Sequence, residues 1–85
     1  MNTKVLGKKL VSGVDKNTGE ARINSVVYFS YKDDSVEGVA TSSVWVGAYC
    51  CPPEQIIVGN YYDLQERNNY VVRMTAVKEG DFING

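Results

Sequence analysis

The 85-residue chain has no histidine. That absence removes the usual general base, the commonest metal ligand and the organiser of a nucleophilic triad. Cysteine occurs only as the adjacent pair Cys50-Cys51, and two neighbouring thiols lack the spacing of a zinc site. No GxGxxG or Walker-type loop is present to cradle a phosphate. An enzyme is therefore not expected, and no cofactor, metal or small-molecule substrate is predicted. The alternative is thiol or redox chemistry at Cys50 or Cys51, set against ordinary reduced thiols before a turn. Proline occurs only as Pro52-Pro53, which reads as an extended, rigid loop. The chain contains neither a membrane-length apolar run nor the core of a signal peptide, which predicts a cytoplasmic protein with no membrane partner.

Helical periodicity is also missing, and what replaces it is the alternation of short strands. Between Arg22 and Val46 the sequence puts Val27, Phe29 and Tyr31 on one side, and Val26, Tyr28, Ser30 and Lys32 on the other. Five strands are expected, over about residues 4–12, 22–32, 36–46, 56–66 and 70–78. Asp15 to Gly19 forms a turn, with Gly19 suited to a left-handed position, and Arg67-Asn68-Asn69 forms a tight turn. Val39 and Thr41 are out of phase with Val44 and Val46, so a bulge near Ser42-Ser43 is expected, turning Trp45 outward. Tyr62 and Leu64 should face in, as should Val72, Met74 and Ala76, with Val71, Arg73 and Thr75 outside. The pattern predicts an all-β fold, a small five-stranded antiparallel OB-like Greek-key barrel over residues 1–78, followed by a loose tail over 79–85. An SH3-like barrel has a similar strand count. A domain this short buries only about 60–65% of its unfolded surface, which predicts a homodimer.

Net charge is −1, but it is unevenly spread. Residues 1–32 hold six basic residues against two acids, and residues 33–85 hold three against eight, so the halves carry +4 and −5. Lys8, Lys9, Lys16 and Arg22 cluster on the first two strands and their turn, where flexible cations suit a phosphate backbone. The same lysines also suit the protection of an edge strand. Of nine aromatics, Phe29, Tyr31, Tyr62 and Tyr70 are assigned to the core or its rim, while Tyr28, Trp45 and Tyr61 fall on outward phases. Outward rings on a curved sheet suit the stacking of unpaired bases, and equally a dimer interface. Arg73, expected outward near Tyr61, suits a phosphate or base, or a surface pair with Asp63 or Glu66. Glu79, Asp81 and Phe82 suit an acidic-aromatic docking peptide, a competitor for the basic face, or plain disorder.

Several short motifs extend this reading. Ser12-Gly13-Val14 followed by Lys16, Gly19 and Glu20 resembles the basic DNA-binding loop of the gene V family of single-stranded-DNA-binding proteins. That family comes from filamentous phages and has small relatives on Gram-positive mobile elements. The stretch from Tyr28 to Val46 is similar to the family's long second and third strands. Gly59 with Tyr61 resembles its Gly-x-Tyr, and Arg73-Met74-Thr75-Ala76-Val77 its Arg-Leu-Arg-Leu-Val. Glu20 stands where the family's loop has lysine, and Thr75 where its last strand has a second arginine. The resemblance implies a dimeric OB-type barrel of a phage or mobile element that coats single-stranded DNA during DNA replication, with Lys16 and Arg73 on phosphates. The alternative is a protein-interaction or accessory module of such an element, without nucleic-acid binding.

Overall fold

The computed structural model describes residues 1–84. Five strands, β1 (Asn2–Val14), β2 (Ala21–Tyr31), β3 (Ala40–Val46), β4 (Tyr61–Arg67) and β5 (Tyr70–Val77), precede a short helix, α1 (Glu79–Asn84). They close into a barrel in the order β1-β2-β3-β5-β4, and β4 returns to β1 through Thr3–Tyr62 and its neighbours. A strand that comes back by a long connection to lie beside the first of three consecutive strands is a Greek key, and the barrel is of the OB type. The barrel is antiparallel at every junction but one. A ring with an odd number of strands cannot alternate direction throughout, so one neighbouring pair must be parallel. That pair is β3–β5, joined at Trp45 and Tyr70.

The core follows the alternation. Val5, Val27, Phe29, Val44, Val46, Tyr62, Leu64 and Val71 fill the barrel, and Ile56 enters from outside the strands. Ile56 explains why the fourth strand begins at Tyr61 instead of residue 56. The segment before it is a single 3-10 turn, Pro53–Gln55, that carries Ile56 into the barrel's end. Tyr62 Oη ties this plug down by donating to the Gln55 carbonyl (3.1 Å) and accepting the Ile57 N–H (3.0 Å). Gly59, at φ +94°, reverses the chain toward β4.

Among the described residues two bulges are present, neither where expected. Pairing of β2 with β3 is continuous from Ala40 to Val46, because Val39 lies before the strand and the phase conflict never arises. Leu6 is the extra residue in β1, between Val5 and Gly7. Val72 is the extra residue in β5, opposite the Gln65–Glu66 step. The second bulge inverts the expected phase, so Val71 is buried and Val72 is 60% exposed. Met74 packs on the core as expected, whereas Ala76 is exposed.

The two hairpins turn as the sequence indicates. Gly19 takes φ +73°, and its N–H donates to the Asp15 carbonyl at 2.8 Å. Asn68 and Asn69 take φ 52° and 69°, the left-handed pair of a two-residue hairpin. The segment expected as a loose tail is instead helical and attached over Glu79–Asn84, and residue 85 lies outside the described residues. Lys78 N–H donates to the Asp81 carboxylate at 3.1 Å, Asn2 Nδ2 donates to the Asp81 carbonyl at 3.0 Å, and Phe82 packs on Tyr61. Among the described residues no helix is long and apolar enough to cross a membrane.

Candidate nucleic-acid interface

With Val5, Val27, Phe29 and Val44 inside, the intervening residues of β1, β2 and β3 form the outer wall. The register sorts them into rows across the strands. One row is Tyr61–Lys4–Ser30–Thr41, the next Gly7–Tyr28–Ser43, and the third Lys9–Val26–Trp45. Arg22, opposite Gly13, closes the series toward the hairpin tip. Successive rows stand about 7 Å apart along the strands. Tyr61, Tyr28 and Trp45, distant in sequence, therefore lie on one face, and Lys4, Lys9 and Arg22 run beside them.

The parallel β3–β5 bridge adds a ring that sequence reasoning assigned to the core or rim. Tyr70 is 55% exposed, and its centroid lies 6.4 Å from that of Trp45 at an interplanar angle of 31°. The backbone N–H of Trp45 donates to the Asn69 carbonyl at 3.0 Å, so the β4–β5 turn sets this pair. Tyr49, also missed, is 80% exposed beside the same strand end. Its ring lies against Gly47, where an added Cβ would stand 2.5 Å from Cε1. The signal for Tyr49 is the glycine two residues before it, which leaves the ring room to lie back over the chain. Tyr70 gave no such signal, because only the barrel's closure brings it beside Trp45.

The predicted cations divide into distinct environments. Lys8 is a structural residue: its ammonium donates to the carbonyls of Pro53 (2.7 Å) and Ile56 (2.9 Å) and holds the plug in place. The Leu6 bulge puts Lys8 on the inward phase at the barrel's end, removing it from the outer face. Lys9 and Lys16 are exposed and make no ion pair among the described residues. Arg22 lies 3.6 Å from Asp15 and 3.7 Å from Glu20, surface contacts that a phosphate can replace. Asp15 is a firm anion. Hydrogen bonds from the Asn17 and Thr18 N–H groups, with Arg22 nearby, hold its carboxyl below the usual range.

Arg73 is exposed, but not beside Tyr61. Arg73 pairs with Gln65, whereas Tyr61 pairs with Val77, four residues further along β5. It forms no ion pair with Asp63 or Glu66, and Asp63 instead meets the Met1 amino group at 2.6 Å. Arg73 lies three residues beyond Tyr70 on β5. Tyr61 is half-covered: Phe82 lies 5.3 Å away, centroid to centroid, and Lys4 Nζ is 5.8 Å from the ring centre. Cys50 and Cys51 are both free thiols, partly buried against the core. Burial, with Cys50 and Glu54 nearby, raises the Cys51 thiol and disfavours the reactive thiolate.

No protein-family profile, curated protein or solved structure matches the chain. The chemistry of the outer face must therefore come from its own geometry. Exposed Tyr28 and Tyr70 with half-buried Trp45 between them, flanked by the cations Lys9 and Lys16 and a projecting basic hairpin, offer stacking surfaces and phosphate contacts on an open convex wall.

Proposed function

We propose that the barrel binds single-stranded DNA without sequence preference, across the outer wall of β1–β3. The observation that carries this reading is the Lys9–Val26–Trp45 row, extended to Tyr70, with Tyr28 in the adjacent row. OB barrels use the wall around strands 2 and 3, with the loop between strands 1 and 2, to hold oligonucleotides. Here that loop is the Asp15–Gly19 turn bearing Lys16. Tyr28, Trp45 and Tyr70 stack bases, each contributing about 1–3 kcal/mol. Lys9, Lys16, Arg22 and Arg73 contact phosphates, giving a salt slope of about −0.7 per contact. The resemblance to gene V proteins supports a strand-coating role in the replication of a phage or mobile element. Replacing Trp45 and Tyr70 together by alanine tests the site. Binding to a labelled dT oligonucleotide should weaken by at least about tenfold, since two stacking contacts are lost. Undiminished binding would place the site elsewhere.

A specific observation supports dimerisation as well. Beyond the barrel the inward phase of β1 and β2 continues through Leu10, Val14 and Ile23, which are 57%, 67% and 50% exposed. A two-stranded ribbon with an uncovered apolar face is marginal alone, and a second copy packing on it by two-fold symmetry would cover both faces. Sedimentation should find a dimer that Leu10→Lys with Ile23→Lys converts to monomer. If the double variant keeps the dimer, this face is not the interface. If the unaltered chain is monomeric, these residues mark instead the surface of an interaction module for another protein.

A further inference from the structure

The Tyr61 end of the outer wall differs from the rest. Ser30 lies on the outward phase, between Lys4 and Thr41, yet it is only 5% exposed. Over this end runs α1, leaving a cleft of about 420 Å³ whose lining includes Leu6, Tyr61, Phe82 and Ile83 together with Lys4 and Glu79. The cleft is mainly apolar with few polar groups, and its size is that of a small-ligand site. The groups that line it already occupy the partners a nucleotide would use. Phe82 covers one part of the Tyr61 ring, Lys4 lies over another, and Lys32 Nζ donates to the Ile83 carbonyl at 2.6 Å. Glu79 lines the same cleft as Lys4, so α1 adds negative charge where a phosphate would approach that lysine.

We propose that the Tyr61 cleft is a concealed further base site, and that α1 is its displaceable cover. The ligand is one unpaired nucleobase stacked on Tyr61 in place of Phe82, with its phosphate on Lys4 and Lys32 in place of the α1 carbonyl. The proposal rests on the single-stranded-DNA reading above and adds to it a competition between the chain's own acidic-aromatic helix and the nucleic acid. The cover is suited to release. It has six residues, too few to be stable alone, and its polar attachments are exposed.

The test compares poly(dT) binding by the full chain and by its Phe82→Ala variant, with Trp45→Ala as a control on the open part of the wall. Phe82→Ala should bind about two- to tenfold more tightly, the range set by one competing aromatic pair. Amide exchange of residues 79–83 in the unaltered chain should accelerate when poly(dT) is added. Equal affinity of Phe82→Ala and the parent, with weakened binding by Trp45→Ala, overturns the concealed site and leaves the open face intact. Unchanged protection of α1 under saturating poly(dT) also overturns it. No binding by any variant overturns both proposals.

Discussion

The two antiparallel hairpins of this barrel are built from the same alternation and end differently. β1 and β2 run 13 and 11 residues and project past the barrel as an arm, so the molecule measures 44 × 22 × 18 Å. β4 and β5 run 7 and 8 residues and stop at a two-residue turn bonded to Trp45. In the short hairpin the inward residues Tyr62, Leu64 and Val71 reach the core, whereas in the arm Leu10, Val14 and Ile23 face solvent. Alternation determines which residues share a face. Whether that face is covered depends on where the barrel ends, and here it ends at the Ile56 plug.

The sharpest way to break the comparison is to truncate one side chain from each environment. Phe29→Ala, inside the barrel, should cost about 3–5 kcal/mol in urea unfolding, and Leu10→Ala on the arm, assayed in dilute monomer, less than about 0.5. Equal costs would mean that the arm is packed like the core. Next in size is the pair of adjacent lysines. Lys8→Met leaves two plug carbonyls without their donor and should lower stability by about 1–3 kcal/mol, with an unchanged salt slope for DNA. Lys9→Met should leave stability alone and reduce that slope by about 0.7. Reversed behaviour would exchange their roles.

Much of this was legible before the fold. The Val27–Phe29–Tyr31 phase, the Gly19 turn, the Asn68–Asn69 reversal and the outward phases of Tyr28 and Tyr61 follow from period-2 alternation and turn chemistry, which are local, whereas Trp45 faces out without the bulge expected to turn it. What was not legible depends on contacts between distant segments. Val72 was put inside because nothing in its neighbourhood marks the bulge that releases it. Lys8 looked like its neighbour Lys9 because the carbonyls that capture it lie 45 and 48 residues away. Tyr70 becomes part of the outer wall only through the parallel pairing that an odd ring requires. Phe82 looked like a tail residue because its partner, Tyr61, is on another strand.

Smaller effects sharpen the contrast between the turns. Asn69→Ala places a Cβ-bearing residue without a local hydrogen-bonding side chain at φ 69° and should cost about 1 kcal/mol, which Asn69→Gly should not. The smallest effect concerns pH at the arm's tip. The Asp15 carboxyl is held below its unfolded value, chiefly by the Asn17 N–H, so its contribution is present above the unfolded value and lost as pH falls through the lowered one. The protection of the residue 15–20 amides, taken relative to intrinsic exchange at each pH, should therefore fall on acidification below about pH 4, near the ordinary carboxylate value. Asp15→Asn should flatten that dependence, and a profile indifferent to the substitution would place the titrating group elsewhere.

The most direct test of the account uses the single tryptophan, which lies within the proposed stacking row. Trp45 fluorescence is titrated with poly(dT) at low salt and again at higher salt. A base stacked on Trp45 should quench the emission to a saturating plateau that requires more DNA as salt rises. Emission unmoved by poly(dT) at low salt would contradict the proposed interface and point to a protein as the partner of this wall.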